Sequence, residues 1–185
     1  MLAVEDVVFL AADLLGVREC INRAMTGGAD QSDQAIYEAL VRAYNMMENE
    51  IATEYAPIVY EQTISCVHGK YEYESLHRNP AYIIAVYDNL GAEVELKLYP
   101  TYFELRNGNY TVRYATFPTV KGVGDDSELP SAVSERVAAY GVAAEYCVQN
   151  GLYTEHAVWD KKYKTALTAA LKTRGSKVMK GRSWS

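Results

Sequence analysis

The stretch LPSAVSERVAAYGVAAEYCVQNGLYTEHAVWDKKYKTALTAALKT, residues 129–173, decides the fold. It reads as a helical hairpin. Pro130 stands near the first turn of the first helix, and the acids just before it favour that end of the helix dipole. Val133, Val137, Tyr140, Ala144, Cys147 and Val148 recur at helical spacing. Ala138, Ala139, Gly141 and Ala143 keep the helix surface low, so a neighbouring helix can approach closely. Gly151 suits the C′ position that closes this helix. Thr154 is the expected cap of the second helix, with Ala157, Val158, Tyr163, Ala166, Leu167, Ala170 and Leu171 inward.

The hairpin runs into a basic end. Lys172, Arg174, Lys177, Lys180 and Arg182 occur there without an acid, and Trp184 stands next to last. The segment has too few apolar residues to pack alone. Tryptophan is a common anchor at interfaces, and 14 extended residues reach roughly 45–50 Å, enough to cross a subunit. The end from 172 to 185 therefore reads as a tether to a partner.

Working back from the hairpin, VKGVGDDSE, residues 120–128, reads as a loop. Before it, between Ile58 and Val120, the apolar period is two. IVYEQTISCV is one candidate strand, and YIIAVYD at 82–88 is a continuous apolar run, the pattern of a strand covered on both sides. Val94, Leu96 and Leu98 alternate with polar neighbours. Asn107-Gly108 between TYFEL and NYTVRYATF is a strong hairpin signal. About five short antiparallel strands in a meander are expected. At the other end of the chain, residues 3–16 read as a short helix with Val4, Val7, Val8, Ala11, Leu14 and Leu15 in register, stopped by Gly16. A second helix over about 32–54 places Ile36, Leu40, Ala43, Tyr44, Met47 and Ile51 in a stripe, with Glu48, Glu50 and Glu54 on or near its exposed side and Pro57 as its stop.

These elements predict an α+β fold, mainly α. A four-helix layer forms from both ends of the chain, with an inserted antiparallel β meander and an extended basic C-terminal tail. The divisions are 1–57 (N-terminal helices), 58–120 (β unit), 121–171 (helical hairpin) and 172–185 (tail). At 185 residues the chain is long enough to bury a core without disulfides or metal.

Composition narrows the function. There are 16 Tyr against 3 Phe and 2 Trp; tyrosine suits half-buried sheet faces and protein interfaces. The net charge of −6 is unevenly placed: without the last 14 residues it is −11. An acidic body argues against wrapping DNA on the main surface, whereas the tail can meet an acidic protein or a phosphate backbone. Cys20, Cys66 and Cys147 are far apart in apolar surroundings, as expected of small core residues in a reduced, cytosolic protein. The N-terminal apolar run is too short and too acidic for a signal peptide or a membrane span.

Catalytic patterns are sparse. His68 and His77 bracket the loop KYEYES and have no carboxylate or cysteine at ligand spacing, and His156 lies near the start of the last helix; a structural histidine is the expectation for all three. Cys66 and His68, two apart, share a face on a strand but have no orienting third group. Gly122-Val123-Gly124-Asp125-Asp126-Ser127-Glu128 could hold a hard cation or a phosphate, yet has neither G-K-[ST] nor D-x-D-x-D-G spacing. No catalytic, cofactor or metal residue is assigned, and the chain is not expected to be an enzyme.

The helical pair AAYGVAAEYCVQNGLYTEHAVWDKKYKTALTAAL, with a small-residue helix, a glycine turn and then Trp159 and Tyr163 as W-x3-Y, resembles the head–tail connector, or adaptor, proteins of tailed bacteriophages. The tail ending in Arg182-Ser183-Trp184 and the order of helices around a β insertion resemble them as well. The resemblance implies a structural virion protein that assembles in the host cytoplasm as a ring, a dodecamer, under the portal in the virion neck. Lys172, Arg174, Lys177, Lys180, Arg182 and Trp184 would contact the portal. The Tyr-rich strands between Tyr82 and Tyr114 would serve neighbouring copies or the next neck or tail protein. DNA would pass the channel without sequence-specific binding, and no membrane or cofactor is involved. Three other readings follow in order: a neck or tail-completion protein one ring further down, a nucleic-acid-binding accessory protein using the basic tail, and a metal-dependent enzyme using Asp125, Asp126 and Glu128.

Overall fold

Five α-helices and six strands follow one another in the computed structural model, which describes residues 2–172. The helices are α1 (Val4–Leu15), α2 (Arg18–Thr26), α3 (Gln31–Glu50), α4 (Glu135–Gln149) and α5 (Tyr153–Lys172); the strands β1–β6 lie between α3 and α4. The fold is α+β and mainly α, with helices from both ends of the chain and an antiparallel β insertion, as the sequence predicts. Contacts divide it into two units. One holds residues 2–47, Lys121–Ser127 and residues 131–172; the other holds Glu48–Val120 and Glu128–Pro130.

In the helical unit α4 is the central element. Nine of its residues are buried, and five of these are alanine or glycine. A helix covered on most sides needs no amphipathic pattern. α4 packs against α1 and against α5. α1 contributes Val4, Val7, Val8, Ala11 and Ala12, all buried, and α3 contributes Leu40, Ala43, Tyr44 and Met47. Gly141 is the point of closest approach. A Cβ there would stand 2.5 Å from Cγ of Met47 and 2.9 Å from Cε2 of Tyr163. Only the bare glycine backbone admits both neighbours.

Several boundaries differ from the sequence reading. α4 starts at Glu135, capped by the Ser134 hydroxyl, which accepts the Val137 N–H at 3.4 Å; Pro130 therefore precedes the helix. α5 starts at Tyr153, so Thr154 lies within its first turn and does not cap it. Ala157 and Val158 are exposed, not inward. α2 has no counterpart in the sequence reading, because its single buried residue, Ile21, leaves no apolar stripe to recognise. What holds it is an ion pair. Arg23 donates from Nε and Nη2 to the two carboxylate oxygens of Asp33, each at 2.6 Å. Arg23 holds the Asp33 carboxyl well below the usual carboxylate range, chiefly by this hydrogen bonding.

α3 ends in a π turn, Ile51–Tyr55, where the Ala56 N–H reaches the Ile51 carbonyl at 2.8 Å. Pro57 follows, with no N–H to continue the helix. Glu48, expected near the exposed side, is buried; its Oε1 accepts the Glu128 backbone N–H at 2.8 Å.

The β unit is not a meander. β1 (Ile58–Cys66), β3 (Pro80–Asp88) and β6 (Gly108–Thr116) form one sheet in the order β1-β6-β3. β2 (Lys70–Glu72), β4 (Lys97–Leu98) and β5 (Tyr102–Glu104) form another in the order β2-β5-β4. Asn107-Gly108 thus turns the chain from one sheet to the other and closes no hairpin. β6 gains nine paired residues with β1, Ile58↔Thr116 through Cys66↔Gly108, against the three that β5 has to offer. Both sheets contribute to one core around Phe103, Val86, Val112 and Tyr114. Phe103 is fully buried, with Tyr71 and Tyr73 each 5.7 Å away. Of the alternating stretch from Val94 to Leu98, only Lys97–Leu98 is a strand; Val94 and Leu96 instead pack as half-buried residues on this core.

Two outcomes test this packing. Gly141→Ala gains about 1 kcal/mol of helix propensity but overpacks Met47 and Tyr163, which costs about 1–3 kcal/mol. Urea unfolding is expected to show net destabilisation, and a stabilised variant would mean that the helices part freely. The Asp33 pKa is lower in the folded than in the unfolded chain, so the stability that the Arg23 pair provides is present above about pH 4 and lost as pH falls below it. Arg23→Ala should lower the unfolding midpoint at pH 7, and the gap from the wild type should narrow at pH 3.

Candidate interaction surface

The end of the chain singled out by the sequence begins at Lys172, the last residue of α5, which is exposed. A cation there complements the C-terminal end of the helix dipole. Arg174, Lys177, Lys180, Arg182 and Trp184 lie outside the described residues. The described part that leads to Lys172 is the α4–α5 hairpin.

The turn of this hairpin follows from Gly151, whose φ of +71° is left-handed. It lets the Leu152 N–H reach the Cys147 carbonyl at 2.8 Å. Two pairs of neighbours then lock the helices side by side. Tyr140 stacks on Trp159 with ring centroids 5.8 Å apart, while the next residue, Gly141, makes room for Tyr163, one turn beyond Trp159. The W-x3-Y spacing puts both aromatic residues on the face that meets α4. Arg136 donates from Nε to the Tyr140 hydroxyl at 2.7 Å. The Lys162 ammonium lies 4.2 Å from the Trp159 ring centroid, a cation–π contact. His156 Nδ1 is 3.1 Å from the Ala144 carbonyl, which its Nδ1–H tautomer bonds. This histidine ties α5 to α4.

α5 buries only Tyr163 and Leu167 completely. Its other side carries Lys161, Lys164, Thr165, Thr168, Ala169 and Lys172 in solvent. A shallow recess of about 380 Å³ lies between Tyr140, Lys161, Lys162, Thr165, Ala166 and Ala169. Lys161 and Lys162 give this recess a positive rim over the alanine floor of Ala166 and Ala169. The sequence reading missed the Tyr140–Trp159–Lys162 cluster; the signal available was the match between Tyr140-Gly141 and Trp159-x3-Tyr163.

The acidic loop does not gather its carboxylates. Asp125 Oδ2 accepts the Gly122 N–H at 2.7 Å, closing the loop on itself. Asp126 pairs through its backbone with Ala3. Glu128 meets Arg78 at 2.6 Å and the Thr119 hydroxyl at 2.6 Å. Cys66 is the last residue of β1, with its thiol 3.6 Å from the Lys70 carbonyl, and His68 is exposed in the turn that follows. Among the described residues no group of three or more His, Cys, Asp or Glu stands together as metal ligands would, and no helix is long and apolar enough to cross a membrane.

Burial raises the pKa of Glu145 on α4, although His156 and Lys164 lower it in part. An acid whose pKa is higher in the folded chain weakens the fold above its unfolded value and is neutral to stability well below both. Glu145→Gln should therefore raise the urea midpoint at pH 7 and leave it unchanged at pH 3. No family model matches this chain, and no curated protein sequence matches it.

Proposed function

We propose that this chain is a head–tail connector of a tailed bacteriophage, an adaptor that assembles as a ring under the portal and lets DNA pass. The observation that carries the reading is the α4–α5 hairpin. A small-residue helix is locked against a second helix through Tyr140–Trp159 and Gly141–Tyr163, and that second helix delivers the exposed Lys172 to the start of the basic end. A rigid arm with a cationic extension fits attachment to a larger body, and a protein of this kind has no need of catalysis. The ring would sit in the virion neck after assembly in the host cytoplasm. Its partners would be the portal, other copies of the chain and the next neck or tail protein. Lys172, Arg174, Lys177, Lys180, Arg182 and Trp184 would make the portal contact. In a head-to-tail ring each weak contact is multiplied by effective concentration.

Portal rings from the same phage, mixed with the full chain or with a chain ending at Leu171, test the reading by electron microscopy. A second ring is expected under the portal with the full chain alone. If neither chain adds a ring while the full chain retards DNA at physiological salt, the basic end binds nucleic acid and the connector reading falls.

A further inference from the structure

The run PAYIIAVYD reads in sequence as a strand covered on both sides, yet β3 is an edge of its sheet. Tyr82 is 50 % and Ile84 39 % exposed. No charge occurs from Pro80 to Tyr87. Soluble proteins commonly protect such edges with charged residues or a covering segment.

Only half of β3 has that protection. The Asp88 N–H bonds the Ala92 carbonyl at 2.9 Å, and the Val94 N–H bonds the Val86 carbonyl at 2.8 Å. Asp88 Oδ1 holds this return by accepting the N–H groups of Leu90 and Ala92. The half from Pro80 to Ala85 is left as the open edge.

The opposite edge of the same sheet, β1, carries its own exposed apolar residues at the same end. Val59 and Tyr82 both pair with Ala115, and Tyr60 and Ile83 both pair with Tyr114. Val59 is 40 % and Tyr60 36 % exposed. Both strands are antiparallel to β6 and hence parallel to each other. A copy placed beside the sheet in the same orientation would bring its β1 to β3. Its Val59 would join the row of Tyr82, and its Tyr60 the row of Ile83. Ile83 lines a recess of about 450 Å³ with Tyr73, Glu74, Pro80, Tyr82 and Leu98, which is large enough to receive an aromatic ring. The only charge on β1, Glu61, has a partner in Arg113 of its own sheet.

We propose that the open half of β3 is the docking edge for β1 of a second copy of this chain. The contact is head-to-tail, uses two different edges and leaves one of each free at the ends of any open assembly. It deepens the ring reading above and rests on that reading only for closure into a ring.

Sedimentation of the full chain up to millimolar concentration tests the pairing. The wild type should self-associate. Tyr82→Lys, which spoils β3, and Val59→Lys, which spoils β1, should each be monomeric with unchanged circular dichroism. Mixed together, the two should form a one-to-one dimer, since each retains the edge that the other lacks. Ile84→Lys and Tyr60→Lys repeat the pair should either first variant unfold. A wild type that stays monomeric throughout overturns the proposal. So does a Val59→Lys chain that associates like the wild type, the sign of β3 pairing with β3. So does a mixture that stays monomeric. Loss of tail-dependent portal binding with the edge results intact would strike the connector reading alone.

Discussion

At Gly141 of α4 the helical unit has no room for a side chain: a Cβ there would stand 2.5 Å from Met47 of α3 and 2.9 Å from Tyr163 of α5. Alanine and glycine bury little area each, so at five of its nine buried positions α4 does not hold its neighbours by bulk. What it offers is proximity. Dispersion falls off steeply with distance, and helices that come close gain many small contacts at once. The large residues then come from the other side, as Tyr163 from α5 and Met47 from α3. Because Tyr163 and Leu167 take so much of the packing, α5 can leave most of its length in solvent. The small-residue helix and the exposed lysine surface of α5 are two consequences of one arrangement.

Much of this was legible in the residues themselves. The spacing of Val4, Val7, Val8 and Ala11 located α1, and Leu40, Ala43, Tyr44 and Met47 located the buried face of α3. Gly151 and the low surface of Ala138–Ala139–Gly141 announced the hairpin. Three features were not legible, each for a physical reason. α2 is held by Arg23 and Asp33 across a turn, and an ion pair leaves no periodic trace. Asn107-Gly108 gives the local chemistry of a turn, but which strands pair depends on the nine-residue match of β1 with β6, a long-range choice. The apolar run of β3 resembles a buried central strand because composition reports affinity for apolar surroundings and not what supplies them. As for the candidate surface, the tail cations were evident from charge alone, whereas the Tyr140–Trp159 stack required knowing how two helices align.

The acidic residues of the body serve local geometry in several places. Asp33 secures α2, Asp88 shapes the return beside β3, Asp125 closes its loop, and Glu128 meets Arg78 and Thr119. A carboxylate bound to backbone N–H groups or to a guanidinium stabilises its own turn and is less available to hold a metal or a substrate. Negative charge can repel phosphate at long range while these four acids serve structure at short range, since screening acts on the first and hydrogen bonding governs the second.

The uneven treatment of β3 bears on what the β unit is for. Its second half is covered by a short return that Asp88 folds back upon it, so the fold has a means of closing this edge. Its first half keeps Tyr82 and Ile84 exposed, with no charge in the strand from Pro80 to Tyr87. Leaving apolar groups on an open edge raises the risk of indiscriminate pairing. Pro80, which has no N–H to donate, and the bulges between Pro80 and Tyr82 and between Ile83 and Ala85 reduce that risk by interrupting a regular ladder. An irregular edge accepts fewer partners than a flat one, because the incoming strand must match the interruptions as well as the apolar row. Such an edge binds weakly in a single contact. It becomes useful where the contact repeats around a closed assembly, since the copies already held then supply the next edge at high local concentration.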